Sequence, residues 1–267
     1  MDSKLSLEVA GETDIGLVRE HNEDDYAIDE KKGLFIVADG LGGHEGGEVA
    51  SKLAVKTILN SFEDFSSNEL ESETIEDKIN QSIQNAHNAI IDLSKQNPVL
   101  QGMGTTVVFA FWQPANSLYI ANVGDSRAYL LRNQKLELLT HDHSVVAQLV
   151  QQGKITPEEA RIHRSRNIVT QSIGIELGMG CYQRRLALKE EDVIILCSDG
   201  LWDMLPDRII EEIALKENTA QELCSSLIEA AKKAGGKDNI TVVVILAKKD
   251  KKDLGIAAAI RKQAERV

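Results

Sequence analysis

The chain reads as an α+β domain on two observations. Blocks of strand-like sequence alternate with pairs of segments carrying helical periodicity. Within those blocks, two apolar runs, Leu34 to Gly40 (LFIVADG) and Val193 to Gly200 (VIILCSDG), both end in Asp-Gly. An unbroken run of branched apolar residues suits a strand covered on both faces. With 267 residues and 42% apolar content, one large domain or two small ones can bury a substantial core.

Taken in order, residues 5 to 38 read as several strands, with turns at Gly11 to Gly16 and at Lys31 to Gly33. Two long helices follow. Val49, Leu53, Val55, Ile58, Leu59 and Phe62 share one helical face, and Ile75, Ile79, Ile83, Ala86, Ile90 and Leu93 share another. Strands resume at Thr105 to Trp112, Ser117 to Val123 and Arg127 to Leu131, and their short connections suggest an antiparallel meander. From Ser144 to about Gly180 two short helical pieces are expected in a mobile excursion. Thr156-Pro157-Glu158-Glu159 supplies an N-cap, a first turn and a capping box. Strands at Tyr182 to Leu188 and Val193 to Ser198 then lead to helices near Asp207 to Leu215 and Ala220 to Lys233, and to a last strand from Ile240 to Ala247. The tail from Lys248 is given no chemistry.

Composition narrows the function classes. The three cysteines, Cys181, Cys197 and Cys224, form no metal or redox spacing, which suggests a reducing compartment. No secretory signal or membrane-spanning run is read, so a cytoplasmic protein is expected. A net charge of −12 opposes attraction to nucleic acid or anionic membranes, while leaving a divalent cation compatible.

The two Asp-Gly ends carry the chemical signal. A carboxylate at the rim of a buried strand is costly to desolvate unless a positive charge answers it, and Gly lets a backbone carbonyl approach the same cation. The plain alternative is two strand-ending turns. A third acid, Asp238, stands just before the last strand, so a sheet could gather Asp39, Asp199 and Asp238. Oxygen ligands favour Mg²⁺ or Mn²⁺, whereas zinc would more often recruit His or Cys.

These motifs, in order, resemble the bacterial metal-dependent Ser/Thr protein phosphatases of type 2C (PPM): GLVREHNEDDY, ADGLGGHEGGEVAS, GMGTT, ANVGDSRAYL, LTHDHS, CSDGLWD and KDNITVVV. The resemblance runs from Gly16 to Val244. It implies a four-layer α-β-β-α sandwich of two antiparallel β-sheets flanked by helix pairs. The catalytic domain would span residues 1–247 with a flap at about 144–180, and 248–267 would be a tail. The implied function is hydrolysis of phosphoserine and phosphothreonine by in-line attack of a hydroxide bridging two metals. Asp39 would bridge two Mn²⁺ or Mg²⁺ ions, the Gly40 carbonyl would bind one, and Asp199 and Asp238 the other. Glu23 would hold a metal-bound water, Asp125 with Asp199 would hold a weaker third ion, to which Asp203 could contribute, and Arg19 would grip the substrate phosphate. The implied partners are phosphoprotein substrates and a bacterial Ser/Thr kinase, with the enzyme a monomer.

Such a centre suits phosphomonoester hydrolysis, because paired cations oppose the repulsion between phosphate and hydroxide. No cysteine lies in a CxxxxxR loop. Some relatives carry a histidine directly after Asp-Gly, where this chain has Leu41, so the proton donor stays open between His44 and a metal-bound water. His141 and His143 read as packing and turn residues, and His21, His87 and His163 as structural or exposed. The glycines of GLGGHEGG and GMGTT read as close backbone packing near the metals. Arg161, His163, Arg164 and Arg166 form a basic stretch that could receive an anionic phosphoprotein or simply be a solvated face. Two rivals remain: a pseudophosphatase that binds without turnover, and a broad small-molecule phosphomonoesterase.

Overall fold

A computed structural model describes residues 5–42, 45–63, 74–113, 116–175, 177–178 and 180–250. Two antiparallel sheets lie face to face. The first, in the order β1-β11-β10-β7-β8, joins Leu5–Asp14 (β1), Ile240–Lys249 (β11), Val193–Cys197 (β10), Arg127–Arg132 (β7) and Lys135–Leu138 (β8). The second, in the order β2-β3-β5-β6-β9, joins Asp24–Asp29 (β2), Leu34–Leu41 (β3), Val107–Gln113 (β5), Ser117–Val123 (β6) and Tyr182–Ala187 (β9). A short strand, Gly104–Thr105 (β4), pairs with the end of β3.

The continuous apolar runs are explained by burial of both strand faces. In β3, Leu34, Ile36 and Ala38 meet the helices Glu45–Ser61 (α1) and Ile75–Gln96 (α2), while Phe35 and Val37 point between the sheets. In β11, Val242 and Val244 meet the helices Asp207–Ala214 (α6) and Ala220–Lys233 (α7), while Val243 and Ile245 join Phe35 and Val37 inside. Four layers result, helix pair, sheet, sheet, helix pair, as the resemblance implied. Each fully buried aliphatic or aromatic side chain contributes about 1.5–3 kcal/mol.

Capping agrees with the sequence. Thr156 accepts from the Glu159 N–H while the Glu159 carboxylate accepts from the Thr156 N–H, starting Pro157–Ile162 (α4). Ser144 caps Val145–Gln151 (α3). The excursion carrying α3 and α4 is closed on itself by Val145 N–H to the Ile168 carbonyl and is tied back to β4 by reciprocal bonds between Thr105 and Ile173.

Four details differ from the sequence reading. No turn forms at Gly11, which lies inside β1; a Cβ there would sit 2.5 Å from the Tyr26 ring, whose hydroxyl donates to the Gly11 carbonyl. The meander breaks at Gly124-Asp125-Ser126: β5 and β6 pair, but β7 crosses to the other sheet and pairs with β10. The second Asp-Gly starts a short helix, Asp199–Trp202 (α5). Lys248 and Lys249 continue β11 against Ser6 and Leu5; the remaining tail, 251–267, lies outside the described residues.

Candidate metal centre

The acids singled out by sequence converge at one end of the sheets. Asp39 lies near the end of β3, and Asp199, the first residue of α5, follows β10; the two carboxyl groups are close enough for each to shift the proton affinity of the other. Asp125 sits in the turn between β6 and β7, and Asp238 in the loop entering β11. Burial raises the proton affinity of Asp39 well above the carboxylate range, and the charges of Asp199, Asp24, Asp125 and Asp238 push the same way. Burial, then Asp238, lifts Asp199 to about 7. Burial, then Asp199 and Asp142, raises Asp125. Buried like charges of this kind are stable only if protonated or met by cations.

The backbone under these acids is held by groups the sequence reading passed over. Asp24 is buried beside Asp39 in the β2–β3 ladder, and its Oδ2 accepts from Ser198 Oγ and Thr241 Oγ1, each at 2.7 Å. It thereby ties β2 to the end of β10 and the start of β11. Burial outweighs these hydroxyls, which act in the opposite direction, and lifts Asp24 to about 7. Thr105 Oγ1 and Thr106 N–H both donate to the Asp39 carbonyl at 2.8 Å, which gives the Thr-Thr of GMGTT a purpose beyond its glycines. The signals in sequence were polar residues closing apolar strands: Ser198 in LCSDG and Thr241 in DNITVVV.

Glycines let the backbone close around Asp39. A Cβ on Gly40 would lie 2.2 Å from the Gly47 carbonyl oxygen, and one on Gly47 would lie 2.8 Å from the Glu23 carboxyl carbon. The start of α1, the end of β3 and Glu23 therefore meet at van der Waals contact, as expected for GLGGHEGG. Gly40 N–H donates to the Glu23 carbonyl at 3.1 Å.

Arg19 rests on the same end of the molecule, in the loop between β1 and β2. Its Nη2 lies 2.6 Å from Asp238 Oδ2, with the Arg19 side chain half exposed. That bond, first among its causes, raises the Arg19 proton affinity. The loop is clasped by Asn239, which is 5% exposed. Its Oδ1 accepts from Glu23 N–H at 2.8 Å, and its Nδ2 donates to the carbonyls of Ile15 at 3.0 Å and His21 at 2.9 Å. One amide thus fixes Arg19 and Glu23 relative to Asp238.

His143 and His87 behave as packing groups. His143 Nδ1 accepts from Gly124 N–H at 3.1 Å, and His87 Nδ1 from Gly174 N–H at 3.0 Å. His44 lies outside the described residues. Arg161 and Arg166 do not form the solvated face considered above: Arg161 donates to the Trp202 carbonyl and Arg166 pairs with Asp203. That pairing engages Asp203, the weakest of the sequence candidates for an ion.

The donor set is oxygen throughout, which fits Mg²⁺ or Mn²⁺. Among the described residues, no group of three or more His, Cys, Asp or Glu side chains is preset as a metal cage. A hard cation that keeps several waters needs few protein ligands, and the acids that repel one another here would be neutralised by it.

Residues 18–239 match the protein phosphatase 2C family model. The chain belongs to the protein phosphatase 2C family. It is 39% identical over 236 residues to the serine/threonine phosphatase Stp of Listeria monocytogenes, covering 87% of this chain and 93% of that one. It is 38% identical over 244 residues to PstP of Mycobacterium tuberculosis, covering 90% of this chain and 45% of that longer protein. Among solved structures, the catalytic domain of PstP in complex with two manganese ions superposes with a TM-score of 0.81 at 34% identity, covering 92% of this chain and all of that one. Stp1 of Staphylococcus aureus superposes at 0.83 with 34% identity, covering 92% and 97%. As a member of this family the chain is an enzyme, a phosphatase.

Proposed function

We propose that the buried acids are the ion-binding centre of a metal-dependent protein serine/threonine phosphatase. The observation that carries this reading is the gathering of acids at one end of the two sheets: Asp125 is buried, Asp39 and Asp199 are partly exposed beside it, and the charge of Asp199 raises the proton affinity of both Asp39 and Asp125 while that of Asp238 raises both Asp39 and Asp199. In this reading Asp39, Asp199, Asp238 and the Gly40 carbonyl hold two Mn²⁺ or Mg²⁺ ions, Glu23 lies against them, and Asp125 serves a weaker third. The chemistry such ions supply is neutralisation of phosphoryl charge and acidification of water.

The chain's own groups do the rest. The planar fork of Arg19 presents N–H donors that match phosphate as well as they match the Asp238 carboxylate, so substrate and Asp238 compete for them. Asp24 and the Thr105-Thr106 pair hold the backbone at Asp39, Ser198 and Thr241. Asn239 holds both sides of the loop that carries Arg19. A covalent cysteine route is disfavoured: burial pushes the Cys197 thiol far up and lifts Cys224 to about 12.

The substrate class is phosphoserine and phosphothreonine in protein, so a bacterial Ser/Thr kinase is the reaction partner. A cytoplasmic monomer with residues 1–247 as catalytic domain and 144–180 as flap completes the proposal. Among the described residues no helix is long and apolar enough to cross a membrane. The test is phosphate release from a phosphothreonine peptide with manganese, beside p-nitrophenyl phosphate. Peptide binding without turnover would replace this reading with a pseudophosphatase, and turnover confined to the small ester would replace it with a phosphomonoesterase.

A further inference from the structure

Between the flap helices and the β7–β8 hairpin lies a cavity of about 420 Å³. That is within the usual size of a small-molecule site, about 300–1,000 Å³. Its wall is mainly apolar: Val146, Ala147 and Val150 come from α3, Leu138 from β8 and Trp202 from α5. Charge enters along one side. Arg127 is bound to Asp142 at 2.7 Å and lies 3.8 Å over the Trp202 ring, and Arg166 is paired with Asp203 at 3.3 Å. Arg161 donates to the Trp202 carbonyl at 2.9 Å and is joined to no carboxylate among the described residues. Three guanidiniums therefore face two carboxylates. In a chain of net charge −12, this leaves one positive charge on the rim of an apolar cavity.

We infer that this cavity binds a small amphipathic anion, an aromatic or branched apolar body bearing one carboxylate or sulfonate. The acid group sits at Arg161, and the body lies against Val146, Ala147, Val150 and Trp202. The fit is set by charge complementarity together with the apolar wall, which offers inorganic phosphate little. Occupancy reaches the acid cluster through α5: Trp202 Nε1 donates to the Asp125 carbonyl at 3.0 Å, and the same helix begins at Asp199. The site is separate from the phosphate site at Arg19, which bonds Asp238.

The test titrates the full chain with 1-anilinonaphthalene-8-sulfonate and with its uncharged counterpart N-phenyl-1-naphthylamine, reading probe fluorescence, with excess inorganic phosphate as competitor. The expected result is one saturable site for the sulfonate, unaffected by phosphate. Ala147→Trp, which fills the cavity, weakens both probes at least roughly tenfold. Arg161→Gln weakens the sulfonate about tenfold, the scale of a hydrogen bond to a charged group, and leaves the neutral probe unchanged. No saturable binding, sulfonate binding indifferent to Ala147→Trp, or equal losses of the two probes in Arg161→Gln would each overturn the inference. Thermal melts accompany both variants. If Ala147→Trp melts early, the paired probes on Arg161→Gln decide.

Discussion

Replacing Asn239 by Ala separates the positioning of the substrate loop from the acids themselves. The substitution removes three hydrogen bonds, to Glu23 N–H and to the carbonyls of Ile15 and His21. At about 1 kcal/mol net each, the loss is about 3 kcal/mol. For a domain of this size that lowers Tm by roughly 6–12 °C. The loop keeps other ties, Leu17 N–H to the Gly236 carbonyl at 2.7 Å and Gly16 N–H to Asp14 Oδ1 at 2.8 Å, so the fold persists while the stretch from His21 to Glu23 loosens. Arg19 stands two residues before His21, and a shift of about 1 Å in a phosphate-binding group can cost roughly 100-fold in rate. The assay pairs a thermal melt with steady-state kinetics on a phosphothreonine peptide under saturating manganese. A large drop in kcat/KM alongside the lowered Tm is expected. A lowered Tm with kcat/KM intact would refute the idea that this amide aligns Arg19 and Glu23.

Arg19→Ala mainly raises KM on a phosphopeptide, by roughly 10- to 100-fold, as expected for loss of about 1.5–3 kcal/mol of charged hydrogen bonding; unchanged kinetics would refute its phosphate role. Thr241→Val removes a donor to Asp24 and weakens manganese binding about 10- to 100-fold by calorimetry, whereas unchanged affinity would show that the support is not felt at the acids. Phe109→Ala, in the layer against α1 and α2, destabilises by about 3–5 kcal/mol in urea unfolding. Burial depresses the folded-state affinity of His87 for a proton below its usual value near 6.5, and its Nδ1 accepts from Gly174 N–H. Its contribution is complete above that value and is lost as pH falls through the depressed one. His87→Asn should therefore flatten the acid side of a stability-against-pH curve; an unchanged slope would contradict this.

Much of the fold was legible because both sheets are buried on two faces, so β3, β10 and β11 announce themselves as apolar runs. The strands' partners were not legible from periodicity. β7 crosses to the other sheet after a three-residue turn that looks like a hairpin, and the alternation in Arg127–Arg132 is the same in either pairing. Gly11 misled because a glycine that admits the Tyr26 ring looks, in sequence, like a glycine that permits a turn. In the candidate site, Asp39, Asp199 and Asp238 stood out because acids at the ends of apolar strands are costly. Asp24, Asn239 and the hydroxyls of Thr105, Thr106, Ser198 and Thr241 did not, because their value lies in cross-strand bonds that only the assembled sheets reveal. The basic stretch of the flap was misjudged for a related reason: Arg161 and Arg166 face inward onto α5, a contact that charge counting does not register.

The most direct measurement follows phosphate release from a phosphothreonine peptide by wild type and Asp199→Asn across a manganese titration, with a chelator control and manganese binding read in parallel by calorimetry. Wild type should turn over only with added divalent ion, and Asp199→Asn should bind manganese more weakly and lose turnover. Turnover that persists in chelator, or an Asp199→Asn protein that binds manganese and releases phosphate like wild type, would contradict a catalytic centre built on these buried acids.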